Sequence, residues 1–161
     1  MRITGFTLLG LAVAIALGSN VACSKSPSPQ KQAAERMMEK ALNQGTQGKT
    51  RVDLGGSGAV DLSGLPEALR YPGAKVLSHV SGAGPDSRGD TYIMQTDDTP
   101  AQVAARFKQN LAGWKRVNVM EAPQVVSMVF DSPDGGQQVS ITAGTERRSG
   151  KTNMSVTLTR K

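Results

Sequence analysis

Nucleophilic, acid–base and metal chemistry draw on a few side-chain types, and this chain is short of two of them: it holds one Cys, Cys23, and one His, His79, in 161 residues. A lone Cys leaves no internal disulfide and no zinc site built on paired cysteines, and a lone His leaves no imidazole cluster. Asp90 and Asp131 are carboxylates that a cleft could bring to His79, and an enzyme would need such a cleft. In sequence, however, His79 has no evident catalytic companion. It alternates with Leu77 inside a strand-like stretch and reads as a half-buried or edge histidine rather than a general base. Asp97-Asp98 stand before a helix, where adjacent carboxylates serve as cap and dipole partners rather than as half a metal site. Asp131 and Asp134 flank Pro133 and lack the spaced ladder of a calcium loop. Gly55-Gly56-Ser57-Gly58 has no following Gly-Lys-Ser/Thr and forms no phosphate loop. Arg88-Gly89-Asp90 spells an integrin-recognised tripeptide, and chance is the stronger explanation for three common surface residues meeting in a turn. No catalytic residue, metal ligand or cofactor site is therefore expected.

Cys23 stands apart because of what precedes it. Arg2 is followed by 22 uncharged residues, Ile3 to Ser24, whose centre, Phe6 to Leu17, is almost wholly apolar. A positive start, about a dozen apolar residues and a small-residue exit make an export signal, whereas a spanning helix needs about 20 apolar residues. The exit ends in Val21-Ala22-Cys23, which resembles the lipobox of bacterial lipoproteins, where the Cys is acylated and becomes the first residue. Asn20 stands where that pattern usually has an aliphatic residue. A cut after Ala16-Leu17-Gly18 by ordinary signal peptidase and an uncleaved N-terminal anchor are the other two outcomes. Against a buried thiol or a reactive nucleophile, the lipid anchor fits best, because Ser24-Lys25-Ser26-Pro27-Ser28-Pro29 offers no core to enter. The resemblance implies lipidation at Cys23. A diacylglycerol thioether plus an amide-linked chain holds a body to a bilayer without a spanning helix. Ser24 rather than Asp after the Cys resembles the signal for release to the outer membrane.

The elements that would follow are punctuated by Gly and Pro. Residues 1–22 read as signal peptide, 23–32 as lipidated Cys and flexible tether, 33–64 as a short helix plus β-hairpin, and 65–161 as the main domain. In the short helix Ala34, Met37, Met38, Ala41 and Leu42 recur at helical spacing and are expected to pack on the core, leaving Glu35, Arg36, Glu39 and Lys40 outside, with Gly45 as the stop. Arg51 to Leu54 and Ala59 to Leu62 alternate around the Gly-rich loop as a hairpin. Tyr71-Pro72-Gly73-Ala74 suits a type II turn, and Lys75 to Val80 and Asp90 to Thr96 read as paired strands. The main helix has Asp97, Asp98 and Thr99 as cap oxygens, Pro100 in its first turn, and Val103, Ala104, Phe107 and Leu111 on one stripe, with Gly113 closing it before Trp114. Four strand-like stretches near Trp114 to Met120, Gln124 to Phe130, Gln137 to Ala143 and Asn153 to Thr159 follow. The fold class is α+β: an antiparallel meander covered on one face by one main helix, preceded by the short N-terminal helix and the Gly-rich hairpin.

Two passages resemble a family of uncharacterised bacterial lipoproteins and secreted proteins. One is Leu65-Pro66 with Tyr71-Pro72-Gly73-Ala74-Lys75; the other is a helix ending in Gly-Trp, here Val103, Phe107, Leu111, Gly113 and Trp114 after Asp97-Asp98. The resemblance runs from the first helix to Trp114. It departs at Arg70, where the family commonly has a second Pro, and at Arg106-Phe107, where it has Phe-Tyr. It implies no reaction.

The charge balance of 19 basic to 13 acidic residues falls to 18 against 13, a net +5, when residues 1–22 are removed and 139 remain. Lys and Arg are scattered, with no run of four, and the densest pairs, Lys115-Arg116 and Arg147-Arg148, read as solvated edges, so no nucleic-acid partner is expected. Anionic headgroups or acidic polymers would be attracted. These features together lead to the expectation of a non-catalytic envelope lipoprotein, palmitate-bearing and facing the periplasm from the outer membrane, that binds another envelope protein. An immunity or inhibitor protein against an exported hydrolase is the alternative, and a periplasmic enzyme the third.

Overall fold

The computed structural model describes residues 28–45, 49–55, 60–83 and 87–161. The leader and Cys23 lie outside the described residues. Helix α1 (Pro29–Gly45) is followed by β1 (Lys49–Leu54), a 3-10 turn (Glu67–Leu69), β2 (Lys75–Ala83), β3 (Arg88–Thr96), helix α2 (Pro100–Asn110), β4 (Lys115–Ala122), β5 (Val125–Asp131), β6 (Gln137–Thr145) and β7 (Thr152–Arg160). The strands form one seven-stranded sheet in the order β1-β2-β3-β7-β6-β5-β4, and every neighbouring pair is antiparallel. The class is α+β. Strands β1 to β3 and β4 to β7 are each sequential neighbours, and β3 meets β7 so that the two runs share one sheet.

Period-two alternation in β5, β6 and β7 sends Val126, Met128, Phe130, Val139, Ile141, Ala143, Met154, Val156 and Leu158 to one face, all buried. Tyr92 and Met94 of β3 join them, and α2 contributes Val103, Ala104, Phe107 and Leu111 to the same cluster. Helix α2 starts where its local chemistry dictates. Thr99 accepts from the Gln102 amide while the Gln102 side chain accepts from the Thr99 amide, and Pro100 opens the first turn. Full burial of a side chain such as Phe107 stabilises by about 1.5–3 kcal/mol, so this stripe ties α2 to the sheet. In the Tyr71–Ala74 turn, Ala74 N–H donates to the Tyr71 carbonyl at 3.2 Å and Gly73 has φ +76°, the left-handed third position of a type II turn.

The hairpin expected around the Gly-rich loop does not form. Residues 56–59 lie outside the described segments, and Val60 to Leu62 is not strand; β1 pairs instead with β2, Leu54 opposite Ser78 and Val52 opposite Val80. Gly55 lets this happen. Its N–H donates to the Leu77 carbonyl at 2.7 Å, beside the register shift between Val76 and Ser78, and a Cβ there would sit 2.8 Å from that same oxygen. Alternation specifies a strand with two faces, but it carries no information about which strand lies alongside.

Candidate functional site

The first helix is turned over relative to its sequence pattern. Lys31, Glu35, Glu39 and Asn43 recur every four residues and therefore share a face, which lies along the edge strand β1. Asn43 Oδ1 accepts the Thr50 amide at 2.8 Å, Glu39 Oε1 the Val52 amide at 2.9 Å and Glu35 Oε1 the Leu54 amide at 2.8 Å, while Lys31 Nζ reaches Asp53 at 3.0 Å. Alternate N–H groups of an edge strand point away from the sheet and need acceptors; these three side chains supply them. The Asp53 carboxylate holds the Lys31 ammonium above its ordinary pKa. Core packing by the Met stripe is therefore corrected: Met37 is 73% exposed, Met38 48% and Leu42 41%. The spacing of Glu35, Glu39 and Asn43 was the available signal, and it is silent unless an unpaired strand edge is known to lie opposite.

The exposed large apolar side chains among the described residues fall into two groups. One is on α1. The other is on the β4–β5 hairpin: Val117 51%, Met120 56% and Val125 36% exposed. Strand β4 forms the other edge of the sheet, and all of its residues except Val119 are exposed. One edge is thus capped by helix side chains, and among the described residues no element pairs with the opposite edge.

His79 and Asp90, far apart in sequence, meet on neighbouring strands. Asp90 is 2% exposed, His79 Nε2 lies 3.2 Å from its Oδ1, and Arg160 of β7 hydrogen-bonds its Oδ2. Arg160 also donates to the Gly64 carbonyl at 2.8 Å. The His79 ring stacks flat on Tyr92, centroids 4.1 Å apart. Burial first, then the Asp90 and Asp61 carboxylates, push the Tyr92 phenol above its ordinary pKa. Of the two carboxylates that the sequence offered to His79, Asp90 is the one that reaches it. Among the described residues Asp90 is the one hydrogen-bond partner of the ring, so this group cross-links β2, β3 and β7 and orients the imidazole. Arg160 was not anticipated, since nothing near it in sequence marks it as a partner. Asp131 is on β5, four strand steps or about 19 Å from β2, and accepts from Gln138 at 2.9 Å. The Arg88-Gly89-Asp90 tripeptide cannot be displayed as a loop, because it begins a strand and its carboxylate is enclosed.

Asp97, Asp98 and Asp134 are each engaged within the fold. Asp98 accepts the Tyr71 hydroxyl at 2.6 Å, Asp97 pairs with Lys151 at 3.0 Å, and Asp134 accepts from the Ser132 hydroxyl and the Gly136 amide, which hold it below its ordinary pKa. Thr99, not either Asp, is the N-cap of α2. The two motif passages touch: Tyr71 and Phe107 rings lie 5.7 Å apart, and the Arg106 guanidinium sits 5.6 Å from the Tyr71 centroid. An open groove of about 590 Å³ runs between them. Of the polar side chains lining it, Arg70 bonds the Leu62 and Leu65 carbonyls and Asn110 that of Ala68. No family model, curated protein or solved structure matches this chain.

Proposed function

We propose that this protein is a non-catalytic envelope lipoprotein, held by acyl chains on Cys23, that presents the open β4 edge to an extended segment of an envelope protein. The observation that supports this is the difference between the two sheet edges. The β1 amides at Thr50, Val52 and Leu54 are satisfied by α1, whereas among the described residues no element pairs with the outer side of β4, where Lys115-Arg116 and the register shift at Val117 guard the start of the strand and Met120 stands exposed beyond them. An exposed edge with apolar side chains pairs with another strand unless it is blocked, and strand addition combines main-chain hydrogen bonds with side-chain pockets. The N-terminal pattern from Arg2 to Cys23 supports the anchor. Six strand steps, about 29 Å, separate the β1 edge from the β4 edge, so an anchor on the α1 side leaves β4 at the far side of the sheet from the attachment point.

The test uses full-length protein in a two-membrane bacterial host, with the photoreactive residue p-benzoylphenylalanine replacing Met120 and, as a control, Ser149 in the exposed β6–β7 turn. A protein adduct at Met120, lost in Val117→Lys and absent at Ser149, is expected, together with incorporation of a palmitate analogue at Cys23. Equal or no capture at the two positions overturns the docking edge; an unlabelled, cytosolic chain overturns the anchor. Identification of the captured protein as an exported hydrolase would convert the scaffold into an inhibitor acting through the same edge.

A further inference from the structure

We infer that the outward face of α1 lies on an anionic phospholipid leaflet, with Met37 near the centre of the inserted stripe. This rests on the anchored reading above.

At about 100° per residue, Ala33, Met37, Ala41, Ala34 and Met38 span about 140° of the helix circumference, opposite the face that Glu35, Glu39 and Asn43 turn to β1, and Leu42 lies at the boundary between the two. Both acids of the helix are thereby committed to backbone amides, and Lys31 is bonded to Asp53. The exposed charged side chains beside this stripe, on its Ala33 side, are cationic. Arg36 and Lys40 are exposed and have no ion-pair partner among the described residues, and Lys49 and Arg51 are exposed on the adjacent strand. A helix with an apolar stripe bordered by cations fits the headgroup–acyl boundary of an anionic bilayer. It is a poor fit to a second copy of itself. Pairing two such faces would oppose Arg36 and Lys40 to their own kind, and three exposed large side chains on one helix fall short of the roughly 1,000 Å² that a stable interface buries.

The position of the chain's own attachment point favours the same occupant. Helix α1 starts at Pro29, six residues after Cys23, and six residues span at most about 20 Å. An anchor at Cys23 therefore keeps α1 within reach of the leaflet at all times, so a weak interfacial preference suffices to hold it there.

In the same full-length protein and host, p-benzoylphenylalanine replaces Met38, and adducts are separated into lipid and protein. A phospholipid adduct is expected, its yield falling about tenfold in Met37→Glu, since burial of one such side chain is worth that factor or more. Met37 is largely exposed, so this change leaves the fold intact. Palmitate labelling on the same sample separates the two readings. With labelled Cys23, a protein adduct or none overturns the leaflet contact and leaves the anchor standing. With unlabelled Cys23, a phospholipid adduct retains the contact and removes the acyl anchor, and a soluble chain without adduct removes both.

Discussion

Glu39 of α1 accepts the Val52 backbone N–H of β1 at 2.9 Å, a side chain standing where the next strand of the sheet would otherwise be. With Glu35 and Asn43 doing the same for Leu54 and Thr50, the helix is docked by polar contacts and not by its apolar stripe.

Such docking is local. Replacing Glu39 with Ala removes a charge-assisted acceptor worth about 1.5–3 kcal/mol in general; partial exposure of this one places the loss nearer the lower end. Hydrogen exchange of the Val52 amide is expected to accelerate about tenfold, along with that of α1 amides, while the urea midpoint of the sheet core stays in place. Glu39→Gln keeps an acceptor oxygen and is expected to change exchange less.

Asp90 holds two cationic or ionisable neighbours from different strands. Asp90→Ala leaves Arg160 without its carboxylate and unties the His79 ring, and the expected cost is about 2–4 kcal/mol, since Arg160 is partly exposed. Equilibrium urea denaturation with an unchanged slope checks it; a loss below about 1 kcal/mol would show that the cross-link of β2, β3 and β7 contributes little.

The chain's two tyrosines, Tyr71 and Tyr92, both titrate late in the folded state. Burial, then the hydrogen bond to Asp98 and its charge, push Tyr71 up to about 12, and Tyr92 is raised with burial as the leading cause. Below the ordinary phenol value near 10, folded and unfolded chains both carry neutral rings and stability does not depend on them. Above it the unfolded rings ionise first, so stability is expected to fall as pH rises from about 10 toward 12. Near-ultraviolet phenolate absorbance should stay low through pH 10.5 in the folded chain and appear at once on unfolding in urea. Tyr71→Phe is expected to flatten part of the alkaline loss.

Two glycines with the same sequence appearance should respond oppositely to Ala. A Cβ at Gly55 meets the backbone oxygens of Leu77 at 2.8 Å and Val76 at 2.9 Å, so Gly55→Ala forces β1 off β2 and is expected to cost about 1–3 kcal/mol. Gly113 has open space around its Cα and no positive φ, and Gly113→Ala is expected to be neutral or to stabilise by up to about 1 kcal/mol. Denaturation midpoints of the pair decide whether the Gly55 contact governs β1 placement.

The cap of α2 offers a smaller, independent measurement. Thr99→Ala removes the hydroxyl that accepts from the Gln102 amide, with an expected loss of about 1 kcal/mol by urea denaturation. If stability is unchanged, Asp97 or Asp98 has taken over the cap.

Local chemistry was legible in the amino-acid order wherever a residue's neighbours in sequence are also its partners in space. Thr99-Pro100 with Gln102 starts α2, Gly73 accepts its left-handed turn, and the alternation of Val139 with Ile141 or Val156 with Leu158 separates a buried from a wet face, because periods of 3.6 and 2 are written into the backbone itself. The sheet order was not legible, since β1 could have paired forward or back, and only Gly55 beside Leu77 shows which. The pairing of His79 with Asp90 and Arg160 depends on three strands brought into register. Even the apolar period of α1 identified a helix and misassigned its inward face: amphipathicity says that two faces differ, and the unsatisfied amides of β1 decide which of them turns toward the protein.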